Sequence, residues 1–403
     1  MPAPRTPERV TRRLTADDFH DSLRLGIEAF GRLPEGAPAP TPEGFPRPGR
    51  HMWGTFEDGE LVARVVGNEF RSWFRGAEVP TCGVAGVTVV AERRGNGFLR
   101  ALFTAMLDDA ADRGEVISTL FPTAPGIYRR LGYEIVSSYD TVSVPTALLA
   151  TVAEPAGVTT RRARLEDVPA VRSTYDAWAA VQVGPLTRRT AAFPATDAEL
   201  LADVTGITLA EDADGRPVGY AMWNRGRGYD SSASIDVEDL VALSPDAARA
   251  LWRVLGSFAS VTGSVRVRSS GSDATRLVLP FGQWDVVERH PYMLRVHDVA
   301  AALDALPLTG PAAVEFRVHG DVLGSMDGGY QLRVADGRSR CERVDVAADA
   351  VALSPQGLAL LYAGAESCAN LRLAGYLCGG SPADDAVLDA LLGSGQPHIR
   401  DYF

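Results

Sequence analysis

The chain has 403 residues, 46% hydrophobic and 23% charged, with a formal net charge of −11. This length predicts about two to four domains with apolar core to spare. The composition reads as that of a soluble globular chain, and no apolar run reaches the roughly 18 residues of a membrane-spanning helix. The acidic balance disfavours nucleic acid and attracts polycationic small molecules.

All 40 basic residues are arginine. Cys82, Cys341, Cys368 and Cys378 show no CxxC pairing, and the six histidines show no HxxxH or HExxH spacing. Reduced, mostly buried thiols, no metal site and a cytoplasmic location are therefore expected. Met1–Arg13 is polar and lacks the apolar stretch of a secretory leader.

Phe19, Leu23, Leu25 and Ile27 recur at helical spacing and predict a helix over 10–28. A proline- and glycine-rich loop follows at 31–50, long enough to be functional. Strands are expected at His51–Phe56, Leu61–Phe70 and Ala77–Val90, the first two joined by an Asp58-Gly59 turn. The β-branched run Val87-Thr88-Val89 then passes through Arg93-Arg94-Gly95-Asn96-Gly97 into the apolar-periodic Phe98-Leu99-Arg100 and a helix to Arg113. A strand, a tight loop and a helix N-terminus bind a pyrophosphate: loop amides and the positive end of the helix dipole point at the anion. Gly95 and Gly97 allow close backbone approach and positive φ. The stretch has neither the G-x-x-x-x-G-K-[ST] nor the full G-x-G-x-x-G pattern. A strand at 116–121 leads to Gly126-Ile127-Tyr128-Arg129-Arg130-Leu131-Gly132-Tyr133, read as a short helix ending at Gly132 with the Tyr128 phenol facing a cleft, and then to a strand at 133–144.

A similar arrangement begins at Thr159, with a helix carrying Val168, Val171, Tyr175 and Trp178, a hairpin about Asp214-Gly215, and a strand 235–243 before a helix at Ala247–Ser260. Ser244-Pro245-Asp246 stands where the first copy has its arginine-glycine loop, so this copy is expected to bind no coenzyme. A third segment from Arg295 has strands at Val314–Val318 and Gly329–Val334 and helices near 354–364 and 382–392. The chain ends in Asp401-Tyr402-Phe403, two aromatics that water disfavours.

The loop Arg93-Arg94-Gly95-Asn96-Gly97 after Val87-Thr88-Val89 and the Tyr128 turn resemble the acyl-coenzyme A loop and aromatic turn of GNAT N-acetyltransferases. The whole chain resembles the Eis-type (enhanced intracellular survival) acetyltransferases, on these motifs together with Asp239-Leu240-Val241, Arg295–Val299 and the terminal tripeptide. The resemblance implies an α/β and α+β chain of two tandem GNAT-like domains, the first active (1–150) and the second degenerate (151–292), plus a C-terminal sterol-carrier-protein-like α+β domain (293–403). It implies acetyl-CoA as co-substrate at Val87, Thr88, Val89, Arg94, Gly95, Asn96, Gly97, Phe98, Leu99, Arg100, Thr123 and Ala124, with no metal. Tyr128 is implied as general acid and the Phe403 carboxylate as general base. The implied acceptor is a cationic small-molecule amine of aminoglycoside type, touching Phe30, Phe193 and Asp401. Acetylation of peptide lysines or of a biosynthetic amine, and lipid or sterol carriage by the C-terminal domain, are the alternatives. The family's tryptophan in the first loop is missing here, with Phe30 and Phe45 as candidate substitutes. No nucleic acid or membrane insertion is expected, and the assembly implied is a homohexamer.

Overall fold

A computed structural model describes residues 7–32, 40–193, 195–393 and 395–403. The first unit comprises β1 (Arg9–Arg13), α1 (Phe19–Phe30), β2 (Arg50–Glu57), β3 (Glu60–Phe74), β4 (Ala77–Val89), α2 (Phe98–Asp112), β5 (Ile117–Leu120), α3 (Pro125–Arg129) and β6 (Glu134–Pro145). The helix expected over 10–28 is in fact β1 followed by α1. Arg9–Arg13 pairs antiparallel with Trp53–Glu57, and Asp18 accepts from the Thr15 amide and ends the extended run. Edge pairing has overridden the helical spacing there.

The second unit contains β7 (Thr159–Arg162), α4 (Val168–Ala179), β8 (Val183–Leu186), α5 (Asp197–Ala202), β9 (Gly206–Glu211), β10 (Pro217–Arg225), β11 (Ser234–Ala242), α6 (Pro245–Gly256), β12 (Ser264–Ser270) and β13 (Asp285–Val296). The third contains α7 (Val299–Asp304), β14 (Ala312–Val318), β15 (Gly328–Ala335), β16 (Arg338–Arg343), β17 (Val351–Leu353), α8 (Pro355–Ala363), α9 (Cys368–Leu373), β18 (Leu377–Cys378) and α10 (Pro382–Leu392).

The first two units share one sheet, in the order β1-β2-β3-β4-β5-β13-β6-β12-β11-β10-β9-β7, with β8 attached to β3. A boundary at 292 therefore cuts β13. This strand lies between β5 and β6, pairing Met293–Val296 with Ile117–Leu120 and Asp285–Leu294 with Glu134–Ser143. Both units keep a parallel strand–helix–strand crossover, β4-α2-β5 and β11-α6-β12. α2 buries Phe98, Leu102, Phe103 and Met106 against Val62, Val65 and Val84 of the sheet, a helical stripe meeting a strand buried on both faces. The third unit is a separate sheet, β16-β15-β14-β17-β18, with Phe316, Leu332, Leu358, Leu361 and Leu388 in its core.

One buried ion pair ties the third unit to the first. Arg295 Nη2 meets Asp321 at 2.9 Å and Arg295 Nη1 donates to the Leu131 carbonyl at 2.8 Å. A Cβ on Gly132 would strike this guanidinium, and its φ is +85°. Gly132 thus lies beyond the short helix α3 and clears the path of Arg295. The last seven residues cross all three units. His398 N donates to Val183 O at 2.7 Å, Ile399 N to Ser270 Oγ at 3.0 Å and Arg400 to Asp273 at 3.0 Å. The chain then enters the first unit.

Candidate active site

β4 and β5 pair only from Thr81 to Gly83, against Ile117 to Thr119, and part beyond that point. In the same stretch β4 carries an extra residue against β3. Val66 faces Ala85 while Arg64 faces Thr88, so Gly86 and Val87 bulge, with Gly86 at φ +56°. A bulge at a strand that has lost one neighbour leaves backbone groups turned toward the gap.

A cavity of about 680 Å³ opens there. Val87, Thr88, Val89, Arg94, Gly95, Asn96, Gly97, Phe98, Leu99, Arg100 and Thr123 line it, as do Arg93, Phe30 and Tyr128. Ala124 stands outside that wall as the N-cap residue of α3. Gly95 and Gly97 have φ of +82° and +78°. Asn96 donates to Arg93 O at 3.0 Å and Arg94 Nε to Val89 O at 3.3 Å, which shapes the loop. The N-terminus of α2 has no side-chain cap, so its first-turn N–H groups are free for an anion. Arg93, although in the wall, pairs with Glu57 at 3.0 Å. In the second unit β11 also bulges, at Glu238. There Ser244 Oγ accepts from Ala247 N at 3.1 Å and occupies the start of α6. The site's fold survives in that copy, but a side chain takes the place of the anion.

A second cavity, of about 770 Å³, lies on the other side of the bulge. Tyr128, Thr123, Phe30 and Val87 line both cavities. Tyr128 is 7% exposed, and burial pushes its phenol up to about 12. It is therefore protonated across the neutral range, as a proton donor must be. Phe403 and Tyr402 reach the same cavity from the chain end. The Phe403 ring packs on Phe70 at 4.8 Å and Phe121 at 5.4 Å, and Tyr402 on Phe121 at 4.4 Å.

A third chamber of about 710 Å³ adjoins it, with Phe193, Phe70 and the terminal residues in its wall. Phe193 packs on Phe70 at 5.2 Å. Asp401, expected as a contact for a cation, is committed elsewhere. It accepts from Arg188 Nε at 2.7 Å, and Arg188 Nη1 donates to Asp239 at 2.8 Å. One guanidinium bridges the two carboxylates. Arg47, Arg50 and Arg64 also line the second cavity, and the sequence reading passed over them. The signal of Arg50 and Arg64 was weak, since an arginine on a strand is ordinarily a solvated face, and Arg47 lies in the loop before β2.

Three cysteines are buried, Cys378 is exposed, and none is bridged. Among the described residues no cluster of metal-ligating side chains occurs, and no helix is long and apolar enough to cross a membrane.

A bulged strand parting from its neighbour, an uncapped helix N-terminus beneath it and a buried tyrosine between two cavities define an acyltransferase of the GNAT fold. Family models agree with this. Acetyltransferase (GNAT) domains match residues 10–136 and 184–296, and a sterol carrier protein domain matches 299–400. An uncharacterized N-acetyltransferase of Streptomyces avermitilis is 28% identical over 92% of both chains. N-acetyltransferase Eis of Mycobacterium tuberculosis is 28% identical over 79% of both. The crystal structure of a GCN5-related N-acetyltransferase from Kribbella flavida is 30% identical, covers 99% of both chains and superposes with a TM-score of 0.82. The chain belongs to the GCN5-related N-acetyltransferases, in the Eis-type arrangement of two GNAT units and a sterol-carrier-like unit.

Proposed function

We propose that the chain transfers the acetyl group of acetyl-CoA to the amine of a small molecule held in the second cavity. The observation that carries this reading is Tyr128, buried at the wall shared by the two cavities and beside the bulge at Gly86–Val87. The pyrophosphate would rest on Arg94–Arg100 and the N-terminus of α2, with the thioester drawn along Val87–Val89. Backbone amides at the bulge polarise the carbonyl. The amine nitrogen attacks the carbonyl carbon and the C–S bond breaks. The phenol of Tyr128 gives its proton to the departing thiolate. The proton shed by the amine passes to the terminal carboxylate of Phe403, directly or through water.

The walls do not favour the polycationic, aminoglycoside-type acceptor that the resemblance implies. Asp239 and Asp401 are spent on Arg188, and the second cavity carries three arginines. A biosynthetic amine of small size suits them better. The reaction would run in the cytoplasm in a homohexamer of the 43.0 kDa chain, which light scattering on the purified protein checks. A thiol-release assay with acetyl-CoA and a panel of aminoglycosides, polyamines, amino acids, amino sugars and lysine peptides tests the transfer. Release dependent on a small amine supports it; acetyl-CoA bound but never consumed with any amine overturns it.

A further inference from the structure

The second cavity has a positively charged wall that forms no ion pair among the described residues. Arg50 of β2 and Arg64 of β3 are cross-strand partners of Asn68 and Gly54, so they share one face of the sheet with Met52 and Val66 between them. All four residues line the cavity, and Arg47 stands at its mouth. Neither guanidinium finds a carboxylate among the described residues. Arg64 Nη1 donates to Ser22 Oγ at 2.6 Å, while the Nε atoms of Arg64 and Arg50 are buried with no partner. The structure makes room for this arrangement. A Cβ on Gly26 of α1 would come within 2.6 Å of Arg64 Nη2, so the missing side chain is the space the guanidinium fills.

Two like charges side by side and half-buried are costly. Burial, and then the charge of Arg50, pull Arg64 down to about 10. Burial, and then Arg47, lower Arg50 as well. Among the described residues Glu43, on the exposed loop, is the acidic side chain of the same cavity, and Phe403 brings the chain end to it. Arg64 also lies next to the chemistry. Its Nη2 is 4.0 Å from where a Cβ of Gly86 would stand, at the bulge itself.

We propose that the acceptor amine enters this cavity carrying an anionic group, a carboxylate or a phosphate, which Arg64 and Arg50 hold. The inference rests on the transferase reading above and names the acceptor's class. A planar guanidinium matches either oxyanion with paired N–H donors, and a desolvated site strengthens the contact. Fixing the anion beside the bulge sets the distance from it to the reacting amine, which selects acceptors by length as well as charge.

The test uses the full chain, saturating acetyl-CoA and matched acceptors that differ in the anion: lysine against cadaverine, tyrosine against tyramine, glucosamine 6-phosphate against glucosamine. At least one anionic member should lead its partner by about tenfold or more in kcat/KM, and which pair responds separates carboxylate from phosphate. Arg64→Gln should erase the advantage, Arg50→Gln should reduce it and Arg64→Lys should restore part of it, all with acetyl-CoA affinity unchanged. Equal or better turnover of the partners that lack the anion overturns the proposal. So does an Arg64→Gln variant that slows every acceptor alike, since Arg64 would then act on the reacting carbonyl. If none of the six compounds is acetylated, calorimetric titration of the CoA-loaded protein with the same compounds decides. Binding confined to the anionic members and lost in Arg64→Gln upholds the proposal; its absence overturns it. Failure to bind acetyl-CoA, or to acetylate any amine in the wider panel, falls instead on the transferase reading.

Discussion

The Asp401 carboxylate accepts a 2.7 Å hydrogen bond from Arg188 Nε across 213 residues of chain. Arg188 sits at φ +53°, a conformation that side chains rarely adopt. It stacks 3.7 Å over the Tyr175 ring and also holds Asp239, which accepts from Tyr220 at 2.7 Å. Burial works against its charge, but Asp401 and Asp239 outweigh that and keep it well above the ordinary arginine range. The second unit, which has lost its own phosphate loop, thus serves to seat the chain end of the third unit in the cleft of the first.

Arg188→Met should leave Asp239 and Asp401 without their shared cation. Breaking such a pair costs about 3 kcal/mol or more. The expected outcome is a lower unfolding midpoint together with a fall in kcat, while acetyl-CoA affinity holds. A variant that melts early yet turns over normally would show that the pair is structural and does not position the terminus.

The candidate phosphate loop was legible because it is local: a β-branched strand, the loop glycines Gly95 and Gly97 and an amphipathic helix within seventeen residues, 86–102. The third unit's helices at 355–363 and 382–392 fall where they were expected, each opening on a Ser-Pro pair. Longer-range features were hidden. Asp285–Val296 carries a breaker at Pro291, yet nothing local in it announces that it leaves the second unit and enters the first between β5 and β6. Asp401 looked like a free acid because its partner lies in another unit. Arg50 and Arg64 belong to one cavity only through the antiparallel register of β2 and β3.

Gly97→Glu should abolish coenzyme binding, since Gly97 has φ +78° at the start of α2 and an added carboxylate would face the phosphates. Wild-type protein should bind one acetyl-CoA per chain, because Ser244 caps the corresponding helix of the second unit. Calorimetry gives both the affinity and the stoichiometry. Two sites per chain, or full affinity in Gly97→Glu, would move the cradle elsewhere.

Tyr128→Phe should lower kcat by about 100-fold, the usual loss for a general acid. The wild-type phenol, held up to about 12, does not ionise below pH 10. A basic limb in the pH–rate profile below pH 10 therefore belongs to another group and should persist in the variant. Normal turnover in Tyr128→Phe would reduce the residue to packing against Phe103.

His398 anchors the tail through Nδ1, which lies 2.9 Å from Ser270 O, and burial followed by the charge of Arg400 lowers its pKa to about 4. The unfolded chain would titrate near 6.5. Between these values the unfolded state holds more protons, so His398 contributes stability that is full above pH 6.5 and lost as the pH falls toward 4. The gap corresponds to about 3 kcal/mol. Denaturant midpoints measured from pH 7 to pH 4.5 should fall in the wild type and fall less steeply in His398→Gln. Identical slopes would remove His398 from the acid response.

The chain end carries the most discriminating test of the mechanism. Tyr402 and Phe403 are brought to the cleft by four successive anchors, His398 on Val183, Ile399 on Ser270, Arg400 on Asp273 and Asp401 on Arg188. If the terminal carboxylate is the base, a tag fused after Phe403 converts it to an amide and removes the proton acceptor. Turnover should then collapse with acetyl-CoA affinity largely kept. Phe403→Ala retains a terminal carboxylate on the same anchors and should be the milder change. If the ring matters only for packing against Phe70 and Phe121, the order reverses. Losing the half-buried ring costs part of the roughly 3–5 kcal/mol of a fully buried phenyl, while an extension into an open cavity is tolerated. Steady-state rates of the tagged, Phe403→Ala and untagged proteins, each with its acetyl-CoA dissociation constant, separate the two. Full activity in the tagged protein would eliminate the terminal base.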